Sequence, residues 1–311
     1  GLSRARDPVC PVGQVRAAST TLRFTGSSRR DQYRKRQRPG CLPAMDPAMH
    51  RFVSVSTSNR LLALPVLSRN AVISPVQAHE DETRELVRRV VENLDGEYGA
   101  KRNRRNRKPL DTLIGIILSQ QNSAVSSRAC FAELKRRFPT WDDALAAPVD
   151  DIEAAVRRGG LARIKAERIH AILSGLQSRH GSLDLGHLED LAPDEAITEL
   201  LLLKGVGPKT ARCVLLFALG ADVFPMDVHI FRIAERLGII PPKTPDECAH
   251  RIVGALIPDG SRYSAHVNMI EHGRTICRPT APKCDVCCVL EYCEFGQRRL
   301  DELHGTSVDP R

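Results

Sequence analysis

Aromatic residues are scarce in this chain of 311 residues, because Phe, Tyr and Trp together make up only 4%. A chain of this length can bury one large core or two smaller ones. Here the core has to be built mainly from Leu, Ile, Val and Ala, which suit packed helices better than a β-sandwich. An alternating strand pattern is also missing. The composition therefore predicts an all-α fold.

Long apolar runs are absent as well, and no secretory leader is expected. No stretch reaches about eighteen consecutive apolar residues, the minimum for a membrane-spanning helix, so we expect no membrane span. Of the ten cysteines, five lie within residues 277–293 near the C-terminal end, and four of them, all but Cys288, are candidate ligands. Without a leader, they are expected to be reduced metal ligands in an intracellular compartment rather than disulfides.

Acidic residues are few at the N-terminal end. Residues 1–60 carry twelve basic and three acidic side chains, which accounts for the whole formal charge of +9. The rest of the chain is formally neutral, so any basic surface there has to come from clustering. One basic run, residues 101–108, is interpreted either as a solvated loop or as a phosphate contact.

Residues 1–80 have little helical or strand periodicity and are rich in Arg, Ser and Pro. They predict a disordered basic extension. An organellar transit peptide is a second interpretation, and a true start at Met45 or Met49 is a third. From Asp81 onward, apolar residues recur at helical spacing. That spacing predicts one helix up to the basic run, an apolar segment over 110–118, and helices over 123–138, 150–157, 163–178, 193–203, 208–219, 227–237, 245–257 and 262–275.

The most informative segment is residues 203–211, Leu-Lys-Gly-Val-Gly-Pro-Lys-Thr-Ala. Its two glycines predict a tight turn between helices and a close approach of the main chain to a ligand. Pro208 suits a first helical position, and free amides at a helix start can bind phosphate. A plain connecting turn is the simpler alternative. An ATP-binding phosphate loop is disfavoured because it requires Gly-x-x-x-x-Gly-Lys-Ser/Thr.

This segment resembles the helix-hairpin-helix of the endonuclease III family, Leu-x-Gly-Val-Gly-x-Lys-Thr-Ala. Residues 226–232, in which Asp227 lies eighteen residues after Lys209, resemble the family's Val-Asp-Thr-His-Ile-Phe-Arg. The resemblance implies that Gly205 and Gly207 contact DNA, that Lys209 is the nucleophile and that Asp227 is its carboxylate partner. A Lys amine can attack C1′ of the sugar, and a carboxylate stabilises the positive charge that develops there. Taken singly, either residue has an ordinary alternative, a helix cap or a solvated lysine.

Four of the five C-terminal cysteines have the spacing C-x6-C-x2-C-x5-C, which suits a tetrahedral zinc or a [4Fe–4S] cluster. Zinc sites usually pair two short C-x2-C hooks, and only one is present. The spacing, with the preceding His272-Gly273-Arg274, resembles the endonuclease III cluster loop and implies a [4Fe–4S] cluster. Cys288 is an adjacent bystander. The implied ligands are Cys277, Cys284, Cys287 and Cys293.

Four further residues are candidate DNA contacts. A glycosylase must rotate its target base out of the duplex and fill the gap. Residues 118–121, Leu-Ser-Gln-Gln, resemble the family's Leu-Ser-Ala-Gln and imply that Gln121 fills it. Residues 160–166 resemble Gly-Leu-Tyr-Asn-Ser-Lys-Ala and imply an apolar wedge at Leu161. Arg278 and Lys283 lie between the first two cysteine ligands and are predicted to touch phosphates. The alternative for Gln121 is an ordinary polar loop residue, and for Leu161 it is a core residue. For the two basic residues the alternative is a surface charge that keeps the protein soluble.

The resemblance covers about residues 82–296 and implies an all-α fold of two lobes. One lobe spans 109–221; the other combines 82–108 with 222–297 around the cluster, and 298–311 form a tail. The implied protein is a monomeric, intracellular base-excision-repair enzyme, a DNA N-glycosylase and AP lyase. It would act on double-stranded DNA with damaged bases, expected to be oxidised pyrimidines, or abasic sites. The alternatives are a monofunctional adenine or mismatched-thymine glycosylase, whose relatives lack the lysine, and a non-catalytic DNA-binding scaffold with zinc.

Overall fold

The computed structural model describes residues 75–104 and 107–305. These residues form α-helices and short 3-10 or π turns without any strand, which confirms the predicted all-α fold. The predicted extension, apart from its last six residues, and the last six residues of the predicted tail lie outside the described ranges. The α-helices are α1 (Pro75–Tyr98), α2 (Pro109–Ser119), α3 (Ala124–Arg137), α4 (Trp141–Ala146), α5 (Val149–Val156), α6 (Ala162–His180), α7 (Pro193–Leu201), α8 (Pro208–Val214), α9 (Val228–Arg236), α10 (Asp246–Leu256), α11 (Arg262–Thr275) and α12 (Glu294–Leu303).

Helices α2 to α8 pack around one aliphatic core, and we call this part, residues 109–221, the hairpin lobe. At its centre lies α2, whose Leu113 and Ile117 are fully buried. Each such side chain stabilises the fold by about 1.5–3 kcal/mol on burial. The single tryptophan, Trp141, donates its indole N–H to the Asp111 carboxylate over 2.8 Å, so its polar edge is satisfied while its ring packs on the core.

The second core combines α1 with residues from 224 onward, and we call residues 83–104 with 222–305 the cysteine lobe. Val90 and Leu94 of α1 pack there with Ile230 and Ile233 of α9. The polar end of α1 is also bonded to α11, where the Asp95 carboxylate accepts from the Ser264 hydroxyl over 2.6 Å. Segments far apart in the chain are thus joined in this lobe, whereas the hairpin lobe is continuous.

Two predicted boundaries need correction. Helix α1 begins at Pro75 instead of Asp81, because its first two turns carry few apolar residues and therefore show no periodicity. Helix α12 runs over Glu294–Leu303, so the predicted tail from 298 is helical in its first part. There Gly296 is buried and Leu300, one turn later, is half-buried, which places both on the inner face of the helix.

The helix predicted over 208–219 changes character at Leu215, where a π-helical turn begins and runs to Leu219. A π turn is wider than an α turn and leaves carbonyl groups open to other donors. Asn103 donates its side-chain amide to the carbonyls of Leu216 (2.6 Å) and Phe217 (3.3 Å). The basic run after α1 is thereby tied to the end of the hairpin lobe. Within the described ranges, no helix is both long and apolar enough to cross a bilayer.

Candidate functional site

The glycine-containing hairpin lies between α7 and α8. The N–H of Val206 donates to the Leu203 carbonyl over 3.0 Å, and both side chains are buried, so they anchor the turn. Gly205 has φ +87°, and a Cβ there would come within 2.6–2.8 Å of the Arg168 side chain. Both conditions require glycine. Gly207 caps α8 without a side-chain hydrogen bond, so the first amides of that helix remain available to a ligand.

Lys209 is the second residue of α8, as the sequence predicted for the start of this helix. Its side chain is exposed, whereas the next two residues, Thr210 and Ala211, are buried. Among the described residues, no hydrogen bond or ion pair engages its ammonium group. The amine therefore extends into solvent from a helix whose backbone is fixed in the core.

Asp227 is the N-cap of α9 and is only 7% exposed. Its Oδ1 accepts hydrogen bonds from the backbone N–H groups of His229 and Ile230, each over 2.9 Å. Two amide donors and the positive end of the helix stabilise the ionised carboxylate. The neighbouring Val228 is 74% exposed, so the carboxylate lies at an edge of the protein and not deep in its core.

The pKa values of two buried groups indicate where Lys209 and Asp227 lie relative to each other. Burial raises the pKa of the Cys213 thiol to about 12, while the Lys209 ammonium acts to lower it and the Asp227 carboxylate to raise it. Burial lowers the pKa of His266 to about 4, and the same two charges act on it. Because Coulomb interactions weaken with distance, both charges lie near the same buried patch.

Two histidines hold the backbone just before Asp227. His266 Nδ1 lies 2.9 Å from the Pro225 carbonyl and donates to it. His250 accepts from the Met226 N–H at Nε2 over 3.0 Å, and its Nδ1 lies 2.9 Å from the Asp246 carbonyl. Burial lowers the pKa of both rings, so both are neutral near pH 7. Sequence reasoning missed this pair, because its partners are remote in the chain.

The two predicted gap-filling residues share an unusual backbone conformation. Gln121 has φ +49° and Leu161 has φ +50°, in the left-handed region that residues other than glycine seldom adopt. Both are exposed, Leu161 by 49%, which rules out the core alternative for Leu161. Local strain in an exposed loop persists only where the surroundings impose it. These turns are therefore held in place by neighbouring groups.

A buried lysine joins these two turns. Lys165 of α6 is 2% exposed, and its ammonium donates to the carbonyls of Leu118 (3.0 Å) and Gly159 (2.8 Å). The first carbonyl precedes the Gln121 turn and the second precedes Leu161. A Cβ at Gly159 would lie 3.0 Å from the side-chain nitrogen of Asn122, so the turns are in direct contact. Lys165 stood in the resemblance motif, but nothing in its spacing revealed this role.

Arg168, one turn after Lys165, extends this arrangement to the hairpin. Its guanidinium donates to the Gln120 side-chain carbonyl over 2.6 Å, and its aliphatic part lies against Gly205. Because residues three apart on a helix share a face, Lys165 and Arg168 together contact all three candidate DNA-binding loops. The structure thus brings Gln121, Leu161 and Gly205 to one surface of the hairpin lobe.

The four predicted cysteine ligands line one cavity. None of the four is assigned to a disulfide, and burial raises the pKa of Cys287 to about 12. Gly296 forms part of the wall: a Cβ there would lie 2.8 Å from Leu290 and 3.6–3.7 Å from two of the sulfurs. The space beside the sulfurs therefore depends on a glycine. The converging residues are Cys277, Cys284, Cys287 and Cys293.

Two arginines join this cysteine loop to the helix that Asp227 caps. Arg232 donates to the carbonyls of Gly273 (2.8 Å) and Cys277 (2.9 Å). Arg236 donates to the Arg278 carbonyl over 2.9 Å and contacts the Cys277 sulfur at 3.2 Å. The position of α9 thus depends on the cysteine loop.

The remaining predicted residues lie on the surface of that loop. Arg278 and Lys283 are exposed, and Arg278 donates to the Ala281 carbonyl over 3.2 Å. Their charged ends remain accessible to a phosphate. Cys288 is half-buried and does not line the cavity of the other four cysteines, so its exclusion from the ligand set agrees with the geometry.

Comparison with known proteins adds three findings. Residues 114–256 match the model of the HhH-GPD superfamily of base excision DNA repair proteins. An Arabidopsis thaliana protein named as a DNA glycosylase is 43% identical over 165 residues, which span 53% of this chain and 56% of that protein. Endonuclease III of Thermotoga maritima is 31% identical over 215 residues, covering 69% of this chain and 93% of that enzyme.

A solved structure of similar fold is a trapped endonuclease III–DNA covalent intermediate. It has a TM-score of 0.61 and 26% identity, and the match covers 70% of this chain and 98% of that one. The chain therefore spans about half of the plant relative but nearly all of the Thermotoga maritima enzyme.

Proposed function

The chain belongs to the endonuclease III-type family of helix-hairpin-helix DNA glycosylases, and we propose that it is a bifunctional N-glycosylase and AP lyase. Its proposed substrates are damaged bases, oxidised pyrimidines foremost, and abasic sites in double-stranded DNA. One observation carries the proposal: an exposed amine stands in the first turn of α8, a carboxylate held by two backbone amides caps α9, and both charges lie near the buried Cys213 and His266.

In the proposed reaction, the unprotonated Lys209 amine attacks C1′ of the extruded nucleotide. The C1′–N bond breaks, its electron pair leaves with the base, and a bond from Nζ to C1′ takes its place. The Asp227 carboxylate stabilises the positive charge that develops on the sugar. Ring opening then gives a Schiff base. Loss of a C2′ proton expels the 3′-phosphate by β-elimination and cuts the strand.

The strained, exposed turns support the proposed roles of Gln121 and Leu161 in opening the duplex. A base has to leave the stack before Lys209 can reach its sugar, and the two side chains would fill the space behind it. The amides around Gly205 and Gly207 would hold a backbone phosphate. Arg278 and Lys283 would add charge to the same strand contact.

The cysteine cavity fits a [4Fe–4S] cluster as cofactor, because four cysteines from one loop line it together with a glycine that leaves room at the sulfurs. When bound, the cluster would supply a rigid cross-link among Cys277, Cys284, Cys287 and Cys293. The loop would then hold Arg232 and Arg236, and through them the helix capped by Asp227. We assign it no part in bond breaking. A tetrahedral zinc could use the same thiols, and metal analysis separates the two.

Lys209 is the residue that distinguishes the proposed bifunctional enzyme from the two alternative functions. A monofunctional glycosylase of the same superfamily would have no lysine at this position, and a DNA-binding scaffold would need neither Lys209 nor Asp227. A trapped covalent endonuclease III–DNA complex among the structural relatives supports the lyase. We further propose that the chain acts as a monomer and is found where cellular DNA is.

The test is cleavage of defined duplexes by the parent protein, by Lys209→Gln and by Lys204→Gln. The duplexes carry an oxidised pyrimidine, an adenine mispair, a G·T mispair or an abasic site. We expect Lys209→Gln to lose strand cleavage and borohydride trapping by at least about 10³-fold while keeping most of its DNA affinity. Lys204→Gln removes an exposed charge from the same hairpin and should still be trapped. Equal trapping of all three proteins would contradict the proposal.

A further inference from the structure

Two histidines and a glutamate, none of which has a role in the proposed glycosylase site, converge in the hairpin lobe. His180 is the last residue of α6, His187 lies in a 3-10 turn over Gly186–Asp190, and Glu199 belongs to α7. Their potential ligand atoms all lie within 4.8 Å of one another. Nothing in the proposed glycosylase chemistry uses them.

Both imidazoles are directed at the same carboxylate oxygen. Nε2 of His187 lies 2.5 Å and Nε2 of His180 lies 3.2 Å from Oε1 of Glu199. The ring centroids are 4.8 Å apart with planes 33° from parallel. Tetrahedral ligands at about 2.0–2.1 Å from a zinc ion are about 3.4 Å apart. If the three side chains moved slightly apart, an ion would therefore fit between them.

The local charge favours a cation at this point. Residues 181–199 contain six acidic residues and no Lys or Arg, whereas residues 61–311 as a whole are formally neutral. The last carbonyls of α6, next to His180, add the partial negative charge of a helix C-terminus. Glu199 has no basic partner other than the two histidines among the described residues. Each group is partly exposed, by 23–38% of its side chain, so an ion can enter from solvent.

We propose that His180, His187 and Glu199 bind a divalent transition-metal ion of the zinc type. Two imidazoles and one carboxylate suit zinc and similar ions better than Mg²⁺ or Ca²⁺, which prefer oxygen ligands alone. Three protein ligands leave a fourth position to water.

The ion would fasten the end of α6 to α7, the first helix of the hairpin. Glu199 precedes Gly205 by only six residues, and α6 carries the Arg168 that contacts that glycine. Binding is therefore expected to stiffen the DNA-binding hairpin and to raise the temperature of unfolding, because the ion binds the folded state alone.

The test is a zinc titration of the full chain and of His187→Ala, Glu199→Gln and His170→Ala. Zinc bound per chain, affinity by competition with a chelator, and the midpoint of thermal unfolding are measured for each. We expect the parent to bind one more zinc ion than His187→Ala. Both ligand variants should bind at least about tenfold more weakly, since loss of even an outer partner costs about 10- to 100-fold.

His170→Ala is the matched control, because it removes a histidine of α6 that bonds Ser174 and not Glu199. It should keep the affinity and thermal shift of the parent. All four proteins keep every cysteine, so metal held by thiols cancels in the comparison. Equal zinc content and equal affinity in the parent and both ligand variants would overturn the proposal, and so would loss of binding in His170→Ala alone.

Discussion

In the hairpin lobe, two side chains of a single helix hold three candidate loops, whereas in the cysteine lobe groups from several helices hold one carboxylate. Lys165 and Arg168 are neighbours on α6 and reach Leu118, Gly159 and Gly205. Around Asp227, by contrast, the supporting contacts come from α9, α10, α11 and the cysteine loop. The first arrangement is local and continuous; the second joins distant parts of the chain.

This difference has a thermodynamic consequence. The hairpin lobe has a large core of Leu and Ile, so its loops are supported by burial that does not depend on any bound group. The smaller core of the cysteine lobe includes two of the candidate metal ligands, Cys287 and Cys293. Its stability is therefore expected to depend on what those thiols bind.

The largest expected effect comes from Cys287→Ser. Loss of a ligand should release the metal, lower the free energy of unfolding of the cysteine lobe by more than about 3 kcal/mol and leave the hairpin lobe folded. Hydrogen exchange measured peptide by peptide checks this. Amides of α9, α11 and α12 should lose protection, and those of α2 and α6 should keep theirs.

Cys288→Ser is the matched control for this prediction. It removes the next sulfur in the chain, which does not line the cavity. The control should retain iron, visible absorption and amide protection. Equal losses in both variants, or loss of protection in α2 as well, would mean that the two lobes do not differ in how far their stability depends on the bound metal.

The second prediction concerns Lys165→Met in the hairpin lobe. Methionine keeps the apolar stem but removes the lysine donor from the Gly159 carbonyl and leaves the Leu118 carbonyl only the Asn122 side-chain amide, which should cost about 2–3 kcal/mol. The turns of Gln121 and Leu161 should then relax. Single-turnover base removal is expected to fall at least tenfold, while trapping on duplexes that already contain an abasic site changes less.

Lys135→Met is the control, because Lys135 also donates to a carbonyl, that of Pro139 over 2.8 Å, yet it is half-exposed and remote from these turns. It should cost less than about 1 kcal/mol. If Lys165→Met lost stability but kept the rate of base removal, the lysine would support the core without positioning the two turns.

The sequence predicted what depends on periodicity and on residues close together in the chain. The helices over 123–138, 163–178 and 262–275 were placed within about two residues of their observed bounds, because their apolar spacing and flanking Gly or polar residues mark them. The four cysteines were grouped for the same reason. The sequence could not decide whether Leu161 lies in the core or on the surface, since an apolar residue before a helix fits both.

Roles that arise from tertiary contact were out of reach. Lys165 looks like any helical lysine until Leu118 and Gly159 are seen around it, and His266 acts on a carbonyl 41 residues earlier. The π turn at Leu215 was equally hidden, because its sequence is an ordinary apolar helix and Asn103 satisfies the freed carbonyls from another segment. Such residues have no spacing rule to reveal them.

The smallest predicted effect is acid sensitivity confined to the cysteine lobe, which contains the three buried histidines of the described chain, His250, His266 and His272. For His266 the folded-state pKa of about 4 lies below the ordinary value of 6.5. The stabilisation that depends on a neutral His266 ring is therefore complete above pH 6.5 and is lost as the pH falls toward 4. Between pH 7 and pH 5 this amounts to about 2 kcal/mol.

His266→Asn separates this contribution from the rest, because an asparagine amide can still donate to the Pro225 carbonyl but cannot be protonated. The variant should be less stable than the parent at pH 7, since it fills less volume, yet it should lose about 2 kcal/mol less between pH 7 and pH 5. Urea unfolding at both pH values measures the difference. An unchanged pH dependence would show that protonation of His266 does not weaken the lobe. If lowering the pH exposed the amides of the hairpin lobe to exchange before those of the cysteine lobe, the two lobes would respond to acid in the reverse order.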